Sequence, residues 1–223
     1  MCGKSNLLIV GAGGHGKVIL DCALQTGRYG RIAFLDAHKT GDFMGCPCYA
    51  DTDEQLAALR ADFDSFVVAI GSNRARAVQF ARLSAAGFTP ALLVHPRACV
   101  SEMASVGAGT VVLAMAVVNA GAAIGRNVII NTAAVAEHDC EIGDDVHLSP
   151  GAIVCGGVTV GQGAWVCAGA AVSNGLTIGA GAVIGAGAVV LKDVPEGFMA
   201  AGVPAVVKKS VKIEGEGDGQ WAW

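Results

Sequence analysis

The chain has 223 residues, 53% hydrophobic and only 15% charged, with a formal net charge of −4 and a pI near 5.7. That length accommodates one large or two small domains, and the balance argues against disorder and against a non-specific nucleic-acid partner. Aromatics at 5% against 32 glycines place the apolar character in Ala, Val, Ile and Leu interleaved with Gly, the composition of a repeat.

The first 94 residues read as alternating strands and helices. Leu7 to Val10 is an apolar run ending in glycines, Gly14 to Thr26 a helix, and Arg31 to Leu35 a strand closing at Asp36. Thr52 to Asp62 reads as a helix, Ser65 to Ile70 as a strand, Asn73 to Ala86 as a helix and Ala91 to Val94 as a last strand. This order predicts a parallel sheet with crossover helices, about half of a full dinucleotide-binding fold. Met1 to Asn6 shows no export signal, so the eight cysteines are expected to be reduced and the protein cytoplasmic. Cys46-Pro47-Cys48 lacks zinc or redox spacing, and no metal is expected.

From about residue 95 the period becomes six. Val100 and every sixth residue through Val190 form a column in which fifteen of sixteen are Val, Ile or Leu, and the position four further on is small or medium. Neither a helix nor a plain strand has this period; a prism-shaped coil does, with one short strand per side and a turn at each corner. Three hexads close one turn, giving about five turns over residues 95–209. Mean hydropathy is +0.53, and no Asp, Glu, Lys or Arg occurs from Val146 through Leu191. The frequent glycines nevertheless oppose a membrane span. Residues 210–223, with Trp221 and Trp223, read as a mobile tail.

Two constellations carry chemistry. Gly11-Ala12-Gly13-Gly14-His15-Gly16 follows a strand and opens a helix, with Asp36 closing the next strand, a pattern that cradles a pyrophosphate. The short domain and His15 favour a nucleotide sugar over NAD. Gly71-Ser72-Asn73, at another strand end, faces the same crevice or simply caps a helix. In the repeat, Glu137-His138-Asp139 is followed by Glu141, Asp144, Asp145 and His147, a charged cluster in an otherwise aliphatic coil. His138 with a neighbouring acid is a general-base candidate, provided a corner turns the acid toward the ring. Five acids within nine residues mildly favour a cationic amine acceptor.

These segments, with Phe34-Leu35-Asp36, Ile130-Asn131-Thr132 and Gly202-Val203-Pro204-Ala205, resemble the bacterial hexapeptide-repeat sugar acetyltransferases. That family includes sialic acid O-acetyltransferases and the N-acetyltransferases of nucleotide-linked 4-amino-4,6-dideoxy sugars. The resemblance implies a Rossmann-like half-domain followed by a left-handed parallel β-helix. It implies His138 as base with Asp139 in support, and Asn131 near the sugar. Acetyl-CoA would lie by His147, Ala168, Gly185 and Ala186, with the nucleotide sugar at Gly13, Gly14, His15, Asp36 and Gly71. Many relatives carry two acids where this chain has Asp36-Ala37. The expected reaction is direct acetyl transfer within a homotrimer whose sites lie between subunits. Sialic acid O-acetylation, a scaffold or nucleotide sensor, and an NAD-dependent oxidoreductase are the alternatives. Glu137 competes with Asp139 for the histidine, and Cys140 is the rival nucleophile.

Overall fold

A computed structural model describes residues 5–211. The N-terminal part is a six-stranded sheet in the order β3-β4-β2-β1-β5-β6, from β1 (Ser5–Val10), β2 (Tyr29–Asp36), β3 (Gly41–Phe43), β4 (Cys46–Ala50), β5 (Ser65–Val68) and β6 (Thr89–Pro90). The helices are α1 (Gly14–Thr26), α2 (Asp53–Leu59) and α3 (Asn73–Ala85). All pairings are parallel except the β3–β4 hairpin, which sequence reading passed over. Alternation on β1 divides the core. Leu7 and Ile9 pack with α1 and onto Leu93, Val111 and Ile129, whereas Leu8 and Val10 pack with Leu56, Leu59 and Leu83 of α2 and α3.

Two expected boundaries move. The segment 91–94 does not close the first sheet: β6 does, while Leu93–Val94 pairs with Val111–Val112 as the first rung of the coil. The repeat therefore starts one hexad before Val100, because Val94 already has the inward aliphatic position. The helix expected from Thr52 begins one residue later, with the Thr52 hydroxyl accepting from the Gln55 amide as its N-cap.

The coil is a three-sided parallel β-helix. Its first face holds strands from Leu93–Val94 to Val183–Ile184, its second from Cys99–Val100 to Val189–Val190, and its third from Ser105–Val106 to Thr177–Ile178. Each strand pairs in register with the one 18 residues on, for example Ile129 with His147 and His147 with Trp165. The inward column forms one continuous core from Val112 to Val194, with Val100 and Val106 packed against its lower end. From residue 109 to residue 187 each corner turns through a residue in the left-handed region. Lower turns use Met115, Asn127, Ala133, Asp139 and Asp145, and upper turns use glycines such as Gly157 and Gly175.

The N-terminal part covers the first face. Above it, Phe198–Ala201 extends that face and pairs antiparallel with Val206–Ser210. Ser210, expected in the tail, is thus the end of a strand. The remainder of the tail reading, Trp221 and Trp223 included, lies outside the described residues from 212 onward.

Candidate active site

The glycine loop is held by a side chain and backbone lattice. Gly11 donates to the Leu35 carbonyl, and Asp36 accepts the Ala12 amide at 2.6 Å and the amides of His38 and Lys39 at 2.9 and 3.0 Å. Partial burial pushes the Asp36 carboxyl up, but these amides outweigh it and hold it below its ordinary value. Lys39 Nζ donates to the Ala12 carbonyl at 2.6 Å and lies 5.0 Å from the Phe43 ring centroid. A Cβ at Gly16 would strike the Gly11 carbonyl, so helix and strand approach only because residue 16 is glycine. Gly13 and Gly14 are exposed and face open space. α1 has no side-chain cap and no acid in its first turn, leaving its amides to an anion. Ala37 is exposed.

Gly71 lies at the strand end. Ser72 next to it caps α3, accepting from the Ala75 amide at 3.4 Å, while Asn73 reaches the coil at the carbonyls of Gly163 and Ala164. The crevice and helix-cap readings of this triplet are therefore compatible.

Opposite Gly71, on the first face, lies His147. Its Nε2 is 3.1 Å from Asn131 Nδ2, and Asn131 Oδ1 accepts the Thr132 amide, so Nε2 is the acceptor and the proton sits on Nδ1. Trp165, one turn above, stacks on the ring at 5.9 Å between centroids and donates to Ser149 Oγ at 2.7 Å. Burial drives the His147 pKa down to about 3, with Arg76 and His15 adding to the depression and the Gly71 backbone opposing it. His15 falls to about 4 for the same leading reason, followed by Arg76. Both imidazoles are neutral, and His15 Nε2 and His147 Nδ1 are buried without a hydrogen bond of good geometry. His147 is a buried neighbour of Asn131 and Gly71.

His138 lies at the corner between the second and third faces. Asp139 follows with φ +59°, and this left-handed step swings its carboxylate back so that Oδ2 takes His138 Nδ1 at 2.9 Å. Glu137 is engaged elsewhere, accepting from Asn119 Nδ2 at 2.9 Å and from the His138 amide at 3.2 Å. The bond to Asp139 raises the His138 pKa above 6.5; the side chain is 61% exposed, and its Nε2 has no hydrogen-bond partner among the described residues. That ring lies over Gly156, one turn above, where a Cβ would collide with it; a Cβ at Gly121 would likewise meet Asp139. Cys140 is fully buried in the coil, donates to the Cys155 carbonyl at 3.1 Å and has its thiol pKa raised by burial.

The acidic cluster is not one field. Asp144 pairs with Arg126 at 2.8 Å, and Asp145 accepts from Asn127 at 2.7 Å, both at the corner between the third and first faces. Five acids within nine sequence positions therefore divide over two edges and the face between them, because a hexad advances one side of the prism. The charge argument for an amine acceptor is reduced to Glu137 and Asp139.

Each edge has its own occupants. The third-to-first edge carries α3, and the second-to-third edge carries His138 and Asp139. The first-to-second edge carries Asn131 and, stacked above Thr132 at 18-residue steps, Pro150, Ala168 and Ala186. Ala168 and Ala186 are exposed and Gly185 is buried. Within one chain, His138 stands a full side of the prism away from Asn131. Sequence reading missed Arg76, Lys39 and Trp165. The 18-residue step from His147 could have found Trp165, and it also predicts Asn119 under Glu137 and Arg126 under Asp144. Among the described residues, no group of three or more His, Cys, Asp or Glu is placed to hold a metal ion. No helix there is long and apolar enough to cross a membrane.

A family model described as the PglD N-terminal domain matches residues 6–83. The acetyltransferase domain of PglB from Neisseria gonorrhoeae FA1090, in complex with acetyl coenzyme A, is 41% identical with a TM-score of 0.88, covering 92% of this chain and 100% of that one. A histidine-to-asparagine mutant of perosamine N-acetyltransferase from Caulobacter crescentus, in complex with CoA and GDP-perosamine, is 38% identical with a TM-score of 0.88, covering 94% and 99%. A UDP-N-acetylbacillosamine N-acetyltransferase of Bacillus subtilis (strain 168) is 39% identical over 111 residues. That match spans 49% of this chain and about half, 51%, of that curated relative.

Proposed function

The chain belongs to the hexapeptide-repeat sugar acetyltransferases, and from that premise we propose that it acetylates the 4-amino group of a nucleotide-linked 4-amino-4,6-dideoxy sugar with acetyl-CoA. The observation that carries the chemistry is the His138–Asp139 pair: Nδ1 bonded to the acid at 2.9 Å, with Nε2 exposed to act as base. The sugar amine attacks the thioester carbonyl, the C–N bond forms, and His138 Nε2 takes the amine proton. A backbone amide of the coil stabilises the developing oxyanion. As the intermediate collapses the C–S bond breaks, and the proton passes to the departing CoA thiolate. Asp139 holds the ring orientation and stabilises the imidazolium. No covalent acyl-enzyme is required, and Cys140 is too buried to form one.

The relatives' names favour the amine over a hydroxyl: they act on bacillosamine and perosamine derivatives as N-acetyltransferases, and two are held with CoA or acetyl-CoA. In this chain the nucleotide diphosphate meets Gly13, Gly14 and the start of α1. Asp36, His15, Gly71 and Asn131 line the path to the sugar, and Ala168, Gly185 and Ala186 mark the acetyl-CoA groove.

The site is completed by a second copy. Outward residues of the second face are Cys99, Val117, Val135, Ile153, Ala171 and Val189, an uncharged stripe with Ile153 42% exposed. That stripe lies between the His138 edge and the edge carrying Asn131, Ala168 and Ala186. Three such faces meeting in a homotrimer bring the His138 edge of one subunit against the groove of the next. The assembly acts in the cytoplasm, where both substrates are available.

The test is release of CoA, read with a thiol reagent, from acetyl-CoA and UDP-, dTDP- and GDP-linked 4-amino-4,6-dideoxy sugars, with sialic acid alongside. Turnover of one amino sugar names the nucleotide. Turnover of sialic acid alone transfers the assignment to O-acetylation, and silence with retained acetyl-CoA binding rejects the substrate class.

A further inference from the structure

Arg76, on the second turn of α3, is 1% exposed, the largest fully buried side chain described. Its guanidinium has no hydrogen-bonded carboxylate among the described residues. It spends its N–H groups on five backbone carbonyls: Nε on Asn127 at 3.0 Å, Nη1 on Ile70 and Gly71 at 3.2 and 3.4 Å, and Nη2 on Asp145 and Val146 at 2.6 and 3.3 Å. The Asp145 carboxylate attracts this charge without a hydrogen bond to it, and burying the cation is costly unless its donors are satisfied; here that satisfaction comes from both halves of the molecule. Ile70 and Gly71 lie in the loop that leaves β5 (Ser65–Val68) for α3. Asn127, Asp145 and Val146 are coil corners one turn apart, the last of them adjoining His147.

We propose that Arg76 is a positioning residue for the nucleotide-sugar half of the site. Its planar fork sets the Ile70–Gly71 strand end at one fixed spacing from His147 and Asn131, so that the glycine loop presents the sugar at a constant height on the coil. A lysine carries the charge but cannot serve three segments at once with the same geometry. The coil acceptors of Arg76 lie at the third-to-first corner, whereas Ala168 and Ala186 lie along the first-to-second edge. Asn73, which donates to Gly163 and Ala164 at 2.9 and 3.1 Å, docks the same helix one coil turn higher. It acts as a weaker second fastening.

The inference rests on the nucleotide-sugar reading of the loop, so the experiment separates the two. Binding of UDP, dTDP, GDP and CoA is measured calorimetrically on the intact protein and on Arg76→Lys, Arg76→Met and Asn73→Ala. Hydrogen exchange across residues 69–73 and steady-state kinetics accompany it. Expected for Arg76→Lys is a loss of about tenfold in nucleotide affinity and a rise of about tenfold in nucleotide-sugar KM, with CoA affinity within about twofold and faster exchange at Gly71. Asn73→Ala shows the same pattern at smaller size, which retains a test if Arg76→Met does not fold. Equal losses for nucleotide and CoA, or unchanged exchange at residues 69–73, overturn the proposal. If the unsubstituted protein binds none of the nucleotides, the nucleotide reading fails, and exchange at residues 69–73 alone decides whether Arg76 fastens the strand end.

Discussion

His138 and His147 are nine residues apart on the same coil, on backbones of the same repeating geometry, yet they have opposite electrostatics. At the outer corner, His138 is open to solvent, bonded to Asp139 and raised in pKa. On the covered face, His147 lies under the N-terminal part, stacks on Trp165, faces the Arg76 cation and is pushed down to about 3. A coil with one backbone plan thus produces an exposed, acid-paired imidazole at an uncovered edge and a neutral hydrogen-bonding imidazole where another layer packs on it. What differs is the cover, not the repeat.

Removing the base is the most severe way to probe that contrast. His138→Ala should lower kcat by about two to four orders of magnitude while acetyl-CoA binding, followed by calorimetry, holds. Retained turnover would disqualify the outer corner as the catalytic end.

Asp139→Asn should have a smaller effect on rate and a distinct effect on pH. Transfer needs neutral His138, so activity rises with pH through a midpoint above 6.5 in the parent. Without the carboxylate the midpoint moves to lower pH. A pH profile of kcat/KM reads this directly, and an unmoved limb would assign the titration to another group.

The buried pair answers to stability instead. His15 and His147 have folded pKa values lowered to about 4 and 3 from 6.5, so their contribution is complete above 6.5 and is lost as pH falls. Each should add a slope of up to about 1.4 kcal/mol per pH unit below that point, visible as a falling urea midpoint. His147→Phe should flatten the slope by about half; an unchanged slope would mean that His147 is not held neutral.

Cys140→Ala should be the mildest change, a loss of about 1 kcal/mol in stability from the bond to the Cys155 carbonyl. Its kcat should stay within about twofold of the parent. A collapse of kcat with the fold intact would revive the thiol as nucleophile.

Much of this was legible before the structure. The hexad column announces a three-sided coil because a period of six with inward aliphatics suits no other regular backbone. The glycine loop announces a tight strand-to-helix turn, and the structure has one: a Cβ at Gly16 would strike the Gly11 carbonyl. Other features had no local signal. The β3–β4 hairpin hides in Gly41–Ala50 because two short edge strands offer too few alternations to recognise. The five acids looked like one cluster because sequence distance ignores the corners that divide them.

The sequence by itself determined the period, the register of every rung and the pairing of each residue with the one 18 positions on, since in-register stacking follows from an unbroken repeat. It also placed a histidine next to an acid at a corner position. Only the tertiary structure decided which acid that histidine takes, because the left-handed φ of Asp139 is a property of the corner and Asn119 draws Glu137 away. Only the tertiary structure, too, brought Arg76 between the N-terminal part and the coil. Three of its five hydrogen-bond acceptors come from residues 51 to 70 positions away and two from Ile70 and Gly71 in the loop before α3, and no local pattern records a cation hydrogen-bonded only to backbone carbonyls.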